Sequence, residues 1–298
     1  MAPPADTTSL LRELAHVLEQ HEAPVRPLGD ARYVDAHRAF EQASSQQAQI
    51  RQRIEAEAQR LVQPHGSPLD VLSVGCGCGL LDRPLLTHLA DEIASFTGVD
   101  PNPTAVAHCR RAVGTDRLPP SHVDCARLAD FEPSQRYDLI YCSHVFYYVD
   151  DRAAALRKMR SMLQPDGTLV IVHAPKAALN TLAQVFWGEH TQSDFFTQDL
   201  QRLLQTQCPS SPVTHSISAH IPRPLFSGTA PQDTLLLEFL LQAEWAPLPA
   251  RAKTLVHNYL DQHARSLTAE TDVLPHPATV LSLRDAALDR GRTDPDHP

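Results

Sequence analysis

The run Val71-Leu-Ser-Val-Gly75-Cys-Gly77-Cys-Gly79 constrains this chain more than any other stretch. A short, mostly apolar segment reads as a buried strand. The alternating glycines after it let the backbone turn sharply and approach a ligand without interference from a Cβ. A helix is expected over 80–89, and its first N–H groups have no partner inside the helix. Nicotinamide-binding folds use a related turn. Their fingerprint requires G-x-G-x-x-G, however, and here position 78 is Cys and position 80 is Leu.

The second element, Gly98-Val-Asp100-Pro-Asn102, closes the next expected strand about 20 residues further on. An acid there can accept hydrogen bonds from both hydroxyls of a ribose. As a helix N-cap Asp100 is the poorer choice, because Pro101 follows it and Asn102 is the better cap. Two further elements follow, Tyr141-Cys-Ser-His144-Val-Phe-Tyr147-Tyr148 and Leu163-Gln-Pro165-Asp-Gly167-Thr-Leu169.

The pattern around these elements alternates strand and helix. Strands are expected at 71–74, 95–99, near His122, at 137–142 and 168–173, and helices at 80–89, 104–113 and 151–163. Such alternation implies right-handed crossovers and a mainly parallel sheet. Before it lie a helix over 7–21, a polar, Gln-rich helical stretch over 33–62, and a turn-rich linker at 64–68. After Pro175 helices are expected near 179–187, 197–205, 232–242 and 251–266, with strands at 214–221 and 279–283. The boundaries that result are a helical cover at 1–66, a core at 67–175, a substrate-binding insertion with the last two strands at 176–288, and a disordered polar tail at 289–298.

The Leu163–Leu169 turn resembles the hallmark before the fifth strand of class I S-adenosylmethionine (SAM)-dependent methyltransferases. All four elements stand in that class's order and spacing. The resemblance implies a Rossmann-like α/β sheet of seven strands in the order 3-2-1-4-5-7-6, the seventh antiparallel, with helical cover segments from both chain ends. It also implies SAM as methyl donor and S-adenosylhomocysteine as product. Gly75, Gly77, Gly79, Asp100 and Asn102 would then line the donor. Asp124, just after the third strand, would contact adenine, the alternative being a plain surface acid, and Ser143 would face the methionine end.

A narrower resemblance, to histamine N-methyltransferases, rests on Arg32-Tyr33-Val34 with Phe40, Leu72-Ser-Val-Gly75, Phe146-Tyr147-Tyr148-Val149-Asp150-Asp151, Leu236-Leu237-Glu238-Phe239-Leu240 and Val280-Leu281-Ser282. The departures fall on the acceptor. Gln46 stands where that family's helix carries a glutamate, His144 replaces a glutamine, and Pro275-His-Pro277 offers no counterpart of its C-terminal asparagine. Fold and donor carry over; histamine as acceptor does not.

Methyl transfer from a sulfonium is an in-line displacement, so the protein must align the nucleophile and exclude water. His144 is the best-placed base, and the alternative is that it only hydrogen-bonds substrate or cofactor. Tyr147 is expected to face the site, with Tyr148 packed under the next helix, because both cannot face one way in an extended segment. Phe186, Trp187, Phe239 and Trp245 are candidate pocket walls for a planar or cationic acceptor, or ordinary core. Tyr33, His37 and Phe40 share one helical face and would fold over the acceptor as a lid, or form a core stripe. Gln46 joins them as a substrate-binding candidate. Cys76 and Cys78 read as small fillers of the turn.

The bulk numbers narrow the partners. A net charge of −9, from 26 basic and 35 acidic residues, argues against a nucleic-acid substrate and suits small neutral or cationic acceptors. No apolar run approaches the roughly 20 residues of a membrane span, and no export signal is read, so a cytoplasmic monomer or homodimer is expected. The 16 histidines show no metal-ligand spacing, and no metal is expected. The competing readings are methyl transfer to oxygen or carbon, and a non-catalytic SAM-binding partner.

Overall fold

The computed structural model describes residues 7–21, 25–187, 194–208, 211–268 and 271–284, except the side chains of Pro64 and His65. In chain order the elements begin with α1 (Thr7–Glu19), α2 (Asp30–Ala43), α3 (Gln46–His65), β1 (Leu69–Val74), α4 (Asp82–His88), β2 (Ile93–Asp100), α5 (Pro103–Val113) and β3 (Ser121–Cys125). Next come β4 (Tyr137–Ser143), a 3-10 turn (Phe146–Tyr148), α6 (Arg152–Ser161), β5 (Leu163–His173), α7 (Ala178–Trp187) and α8 (Thr197–Gln207). The chain continues with β6 (Val213–Ile217), β7 (His220–Pro222), α9 (Pro231–Leu241), α10 (Ala250–His263), β8 (Arg265–Thr268), β9 (Thr271–Pro275) and β10 (Ala278–Arg284). The polar tail expected at 289–298 lies outside the described residues.

Two compact units form. One takes the described residues of Ile50–His173, Thr197–His215 and Thr279–Pro298; the other those of Met1–Gln49, Ala174–Phe196 and Ser216–Ala278. The seven-stranded sheet runs β3-β2-β1-β4-β5-β10-β6, the Rossmann-like order implied by the resemblance. Strands β1 to β5 pair in parallel, and β10 runs antiparallel to β5. The order reverses between β1 and β4, where Val74 stands beside Cys142, so the carboxyl ends of these two strands open a crevice for a ligand. Val71, Leu72, Val74, Leu139, Ile140, Leu169, Val170, Ile171 and Val172 are buried, as central strands covered on both faces require.

The other unit is mainly helical. Leu10, Leu14, Phe40, Leu182, Phe226, Leu236, Leu237, Trp245, Leu255 and Tyr259 belong to one buried cluster. The Tyr259 hydroxyl donates to the Ala178 carbonyl at 3.0 Å. A small sheet of order β7-β9-β8 completes the unit.

Several expectations are corrected. The helical stretch over 33–62 is two helices, broken at Ser44–Ser45, where the Gln46 N–H donates to Ser44 Oγ at 3.1 Å. The helix expected from Leu80 begins at Asp82, and the fifth strand begins at Leu163 instead of Thr168. The strand expected over 214–221 splits, its first part joining the large sheet as β6 and its second pairing with β9. The helix expected over 251–266 ends at His263, and the chain turns directly into β8. Among the described residues, no helix is long and apolar enough to cross a membrane.

Candidate functional site

At the end of β1 all three turn glycines take left-handed φ values, 71° at Gly75, 53° at Gly77 and 75° at Gly79, where a side chain is disfavoured. The Gly75 N–H donates to the Val99 carbonyl at 2.7 Å, which pins the turn to β2. Asp100, at the end of β2, accepts from the Gly77 N–H at 3.0 Å and from the Asn102 N–H at 2.8 Å. The carboxylate thus holds the glycine turn and the start of α5 together. Asn102 caps α5, its Oδ1 accepting from the Thr104 and Ala105 N–H groups, with Pro103 next to it. Cys76 and Cys78 are buried fillers, and Cys76 Sγ lies 3.0 Å from where a Cβ on Gly98 would stand. Asp124 lies within β3, not after it, and its Oδ1 is 2.8 Å from His122 Nε2 at the sheet edge.

At the end of β4, the Ser143 hydroxyl oxygen is buried and has no hydrogen-bond partner among the described residues. A ligand or water at the switch point would satisfy this hydroxyl. His144 follows with φ 59°, an uncommon conformation for a residue with a Cβ, and its N–H donates to the Val172 carbonyl at 2.9 Å. The left-handed residue ends the strand and throws the chain into the 3-10 turn. There Phe146 is buried, and the Tyr147 ring stacks on His173 at 4.2 Å and on His144 at 6.2 Å. Tyr148, expected to pack under the next helix, is 60% exposed, because the segment is a tight turn and not extended.

Sequence reasoning missed two buried groups beside this site. His173, fully buried at the end of β5, stacks against Tyr147. Asp82, 1% exposed at the start of α4, accepts from the Tyr141 hydroxyl at 2.5 Å. Burial raises its carboxyl from the ordinary range to about 6, against hydrogen bonds from Tyr141 and Ser73 that favour the ionised form, and Asp100 raises it further. In the sequence Asp82 shows only as an acid three residues past the last glycine. Its significance depends on Tyr141, 59 residues away.

In the helical unit the structure brings together Tyr33, His37, Phe40 and Phe239. The Phe239 ring lies 5.8 Å from Tyr33, 5.1 Å from His37 and 4.8 Å from Phe40, with tilted geometries. Glu41, missed in the sequence, is buried next to them. It accepts from Gln47 Nε2 at 2.5 Å and lies 3.7 Å from His37 Nε2. The Oε1 of Gln47 is buried without a hydrogen-bond partner among the described residues. Gln46 is fully buried, and its amide donates to the His276 carbonyl at 2.8 Å. Trp245 is core, packed edge-on against His257 at 5.5 Å, while Phe186 and Trp187 are half-buried against the same cluster. Among the described residues no group of acids, histidines and cysteines could hold a metal ion.

Comparison with known proteins agrees with the geometry of the sheet unit. The chain is 30% identical over 105 residues to a ubiquinone biosynthesis O-methyltransferase of Rhodopseudomonas palustris, covering 35% of this chain and 40% of that one. It is 33% identical over 105 residues to a malonyl-[acyl-carrier protein] O-methyltransferase of Acetivibrio thermocellus, covering 35% of each. The matched stretch therefore spans well under half of these relatives. Among solved structures, the YcgJ protein of Bacillus subtilis shares the fold with a TM-score of 0.51 at 13% identity, covering 77% of this chain and 98% of that one. Residues 72–169, which hold the glycine turn, Asp100, Ser143 and His144, match the family described as "Methyltransferase domain".

Proposed function

We propose that this chain is a SAM-dependent methyltransferase that acts on a small molecule, at an amine or imidazole-type nitrogen. The observation that carries the donor reading is the glycine turn tied through Gly77 to Asp100 at the switch point, with the orphaned Ser143 hydroxyl beside it. These groups fit SAM. The left-handed glycines leave the backbone bare for close approach, the Asp100 carboxylate can take ribose hydroxyls, and Ser143 can bond the methionine end. Asn102 and Asp124 would flank the ribose and the adenine. When bound, SAM supplies an activated methyl on a sulfonium.

The chain's own part is to position and to manage protons. Tyr147, stacked between His144 and His173, holds the imidazole of His144 in place. From there His144 takes the proton that a protonated acceptor must lose, or hydrogen-bonds the acceptor directly. In this reading residues 67–175 serve the donor, 1–66 form the helical cover, and 176–288 supply the substrate-binding insertion together with the last two strands of the sheet. The nitrogen reading is supported by the proton-accepting His144 imidazole beside Ser143 at the end of β4, which suits an acceptor that must lose a proton. The second reading, transfer to oxygen, is favoured by the two relatives named above, both O-methyltransferases.

Methyl-labelled SAM offered with imidazoles, amines, phenols and carboxylic acids tests the proposal. Labelled N-methyl product supports it, and labelled product only from phenols or acids moves the assignment to oxygen. Donor binding without product from any acceptor class would leave a non-catalytic SAM-binding protein.

A further inference from the structure

Asp82 has no place in the chemistry so far, yet its setting is unusual. It is almost wholly buried, its Oδ1 accepts from the Tyr141 hydroxyl at 2.5 Å, and Ser73, near the end of β1, donates to it. Every hydrogen bond to it comes from a donor and so favours the charged form. No cation among the described residues is paired with it, and the other charge acting on it, Asp100, has the same sign. Buried carboxylates are ordinarily paired, because burying an isolated charge is costly. Two acids therefore flank one glycine turn, Asp82 from α4 and Asp100 from β2, and a positive charge at that turn would relieve their mutual repulsion.

We propose that Asp82 is a positioning residue whose buried carboxylate, held by Ser73 and Tyr141, draws the cationic methionine end of the donor onto the glycine turn. The inference rests on the SAM reading above. It assigns no direct contact, since Asp82 is closed off from solvent, and acts through the field across the turn. Its neighbours leave it few rivals. The Tyr141 phenol is pushed well above its usual range by burial, and the Cys76 thiol is pushed up by its hydrogen bond with Cys109 and by burial, so both stay neutral. Ser73 does not titrate. Asp100 is the remaining charged group facing it.

A carboxyl at about 6 in the free protein is partly protonated in mild acid, and an arriving cation favours the ionised form. Binding of a cationic ligand then releases a proton, and affinity falls as pH drops through that value. The test is calorimetry on the full chain with SAM, S-adenosylhomocysteine and adenosine, from about pH 5 to about pH 8, roughly one pKa unit or more on either side of the midpoint. SAM affinity should fall about tenfold toward the acid end, S-adenosylhomocysteine less, and adenosine less than about twofold. Asp82→Asn should flatten the SAM profile at the weaker level. Tyr141→Phe, which removes a donor to the carboxylate, should move the midpoint to higher pH.

Equal pH profiles for SAM and adenosine, or a wild-type profile retained in Asp82→Asn, overturns the proposal. Should Asp82→Asn fail to fold, an unmoved midpoint in Tyr141→Phe overturns it instead. Adenosine binding alongside a pH-independent SAM affinity removes this inference and leaves the SAM reading standing. Failure of all three ligands to bind removes both.

Discussion

Gly75→Ala is the substitution whose cost can be worked most directly from the structure. At φ 71° an added Cβ incurs about 1–2 kcal/mol from its clash with the following carbonyl. That Cβ would also stand 2.4 Å from Val145 Cγ2, closer than real atoms approach. Val145 is β-branched, so it escapes only by leaving its preferred rotamer or by shifting the backbone, an overpacking cost of about 1–3 kcal/mol. The reduced freedom of the unfolded chain returns about 0.4–1 kcal/mol. The net loss is about 2–4 kcal/mol, and donor affinity should fall with it because the turn must move. Gly66→Ala is the matched control, since Gly66 has φ 61° and open space around it, so only the backbone part applies. Urea unfolding should be followed by circular dichroism, because both tryptophans, Trp187 and Trp245, lie in the helical unit. If Gly75→Ala costs no more than Gly66→Ala, the approach of Val145 is not a constraint and the reasoning fails.

Three further outcomes are expected. Asp100→Ala should weaken SAM binding by about 1.5–3 kcal/mol, the range for hydrogen bonds to a charged group, and unchanged calorimetric affinity would take Asp100 out of the ribose role. Asp82 is an acid whose folded value, about 6, lies above its ordinary 3.8, so its contribution to stability is full below pH 4 and lost as pH rises toward 6. The gap corresponds to about 3 kcal/mol, and urea unfolding of Asp82→Asn should lack that pH dependence. Histamine should be a poor acceptor, since Gln46 is engaged with the His276 carbonyl and carries no charge; efficient turnover at low micromolar KM would refute this.

The parts that were legible in the sequence are those written in neighbouring residues. Alternating glycines, the Asn102 cap and the Leu163–Leu169 motif are local, and the sheet order followed only from the family resemblance that such motifs carry. The parts that were not depend on partners far away in the chain. The helix break at Ser44 is stabilised by His276, whose Nδ1 lies 2.8 Å from Ser44 Oγ, 232 positions away. Glu41 reads as an exposed helical acid until the break swings Gln47 back onto it. Asp82 is an ordinary helix-start acid until Tyr141 buries it. Tyr33, His37 and Phe40 were recognised as one face, because helical spacing is local; that Phe239 faces them is not.

The pairing of α1 with α10 and of α2 with α9 has a consequence for the order in which the chain folds. Arg32 meets Glu238 across 206 positions, and Glu13 meets Arg251 across 238. A ribosome therefore releases α1 and α2 well before α9 and α10, leaving Leu10, Leu14 and Phe40 uncovered in the meantime. Five of the seven strands of the large sheet, β1 to β5, are by contrast complete by His173. Long loops must close before distant contacts compensate their entropy, so the helical unit should assemble after the sheet has begun to form. On refolding, circular dichroism should recover ahead of tryptophan fluorescence. A holding chaperone would find its binding surface on the newly made α1 and α2.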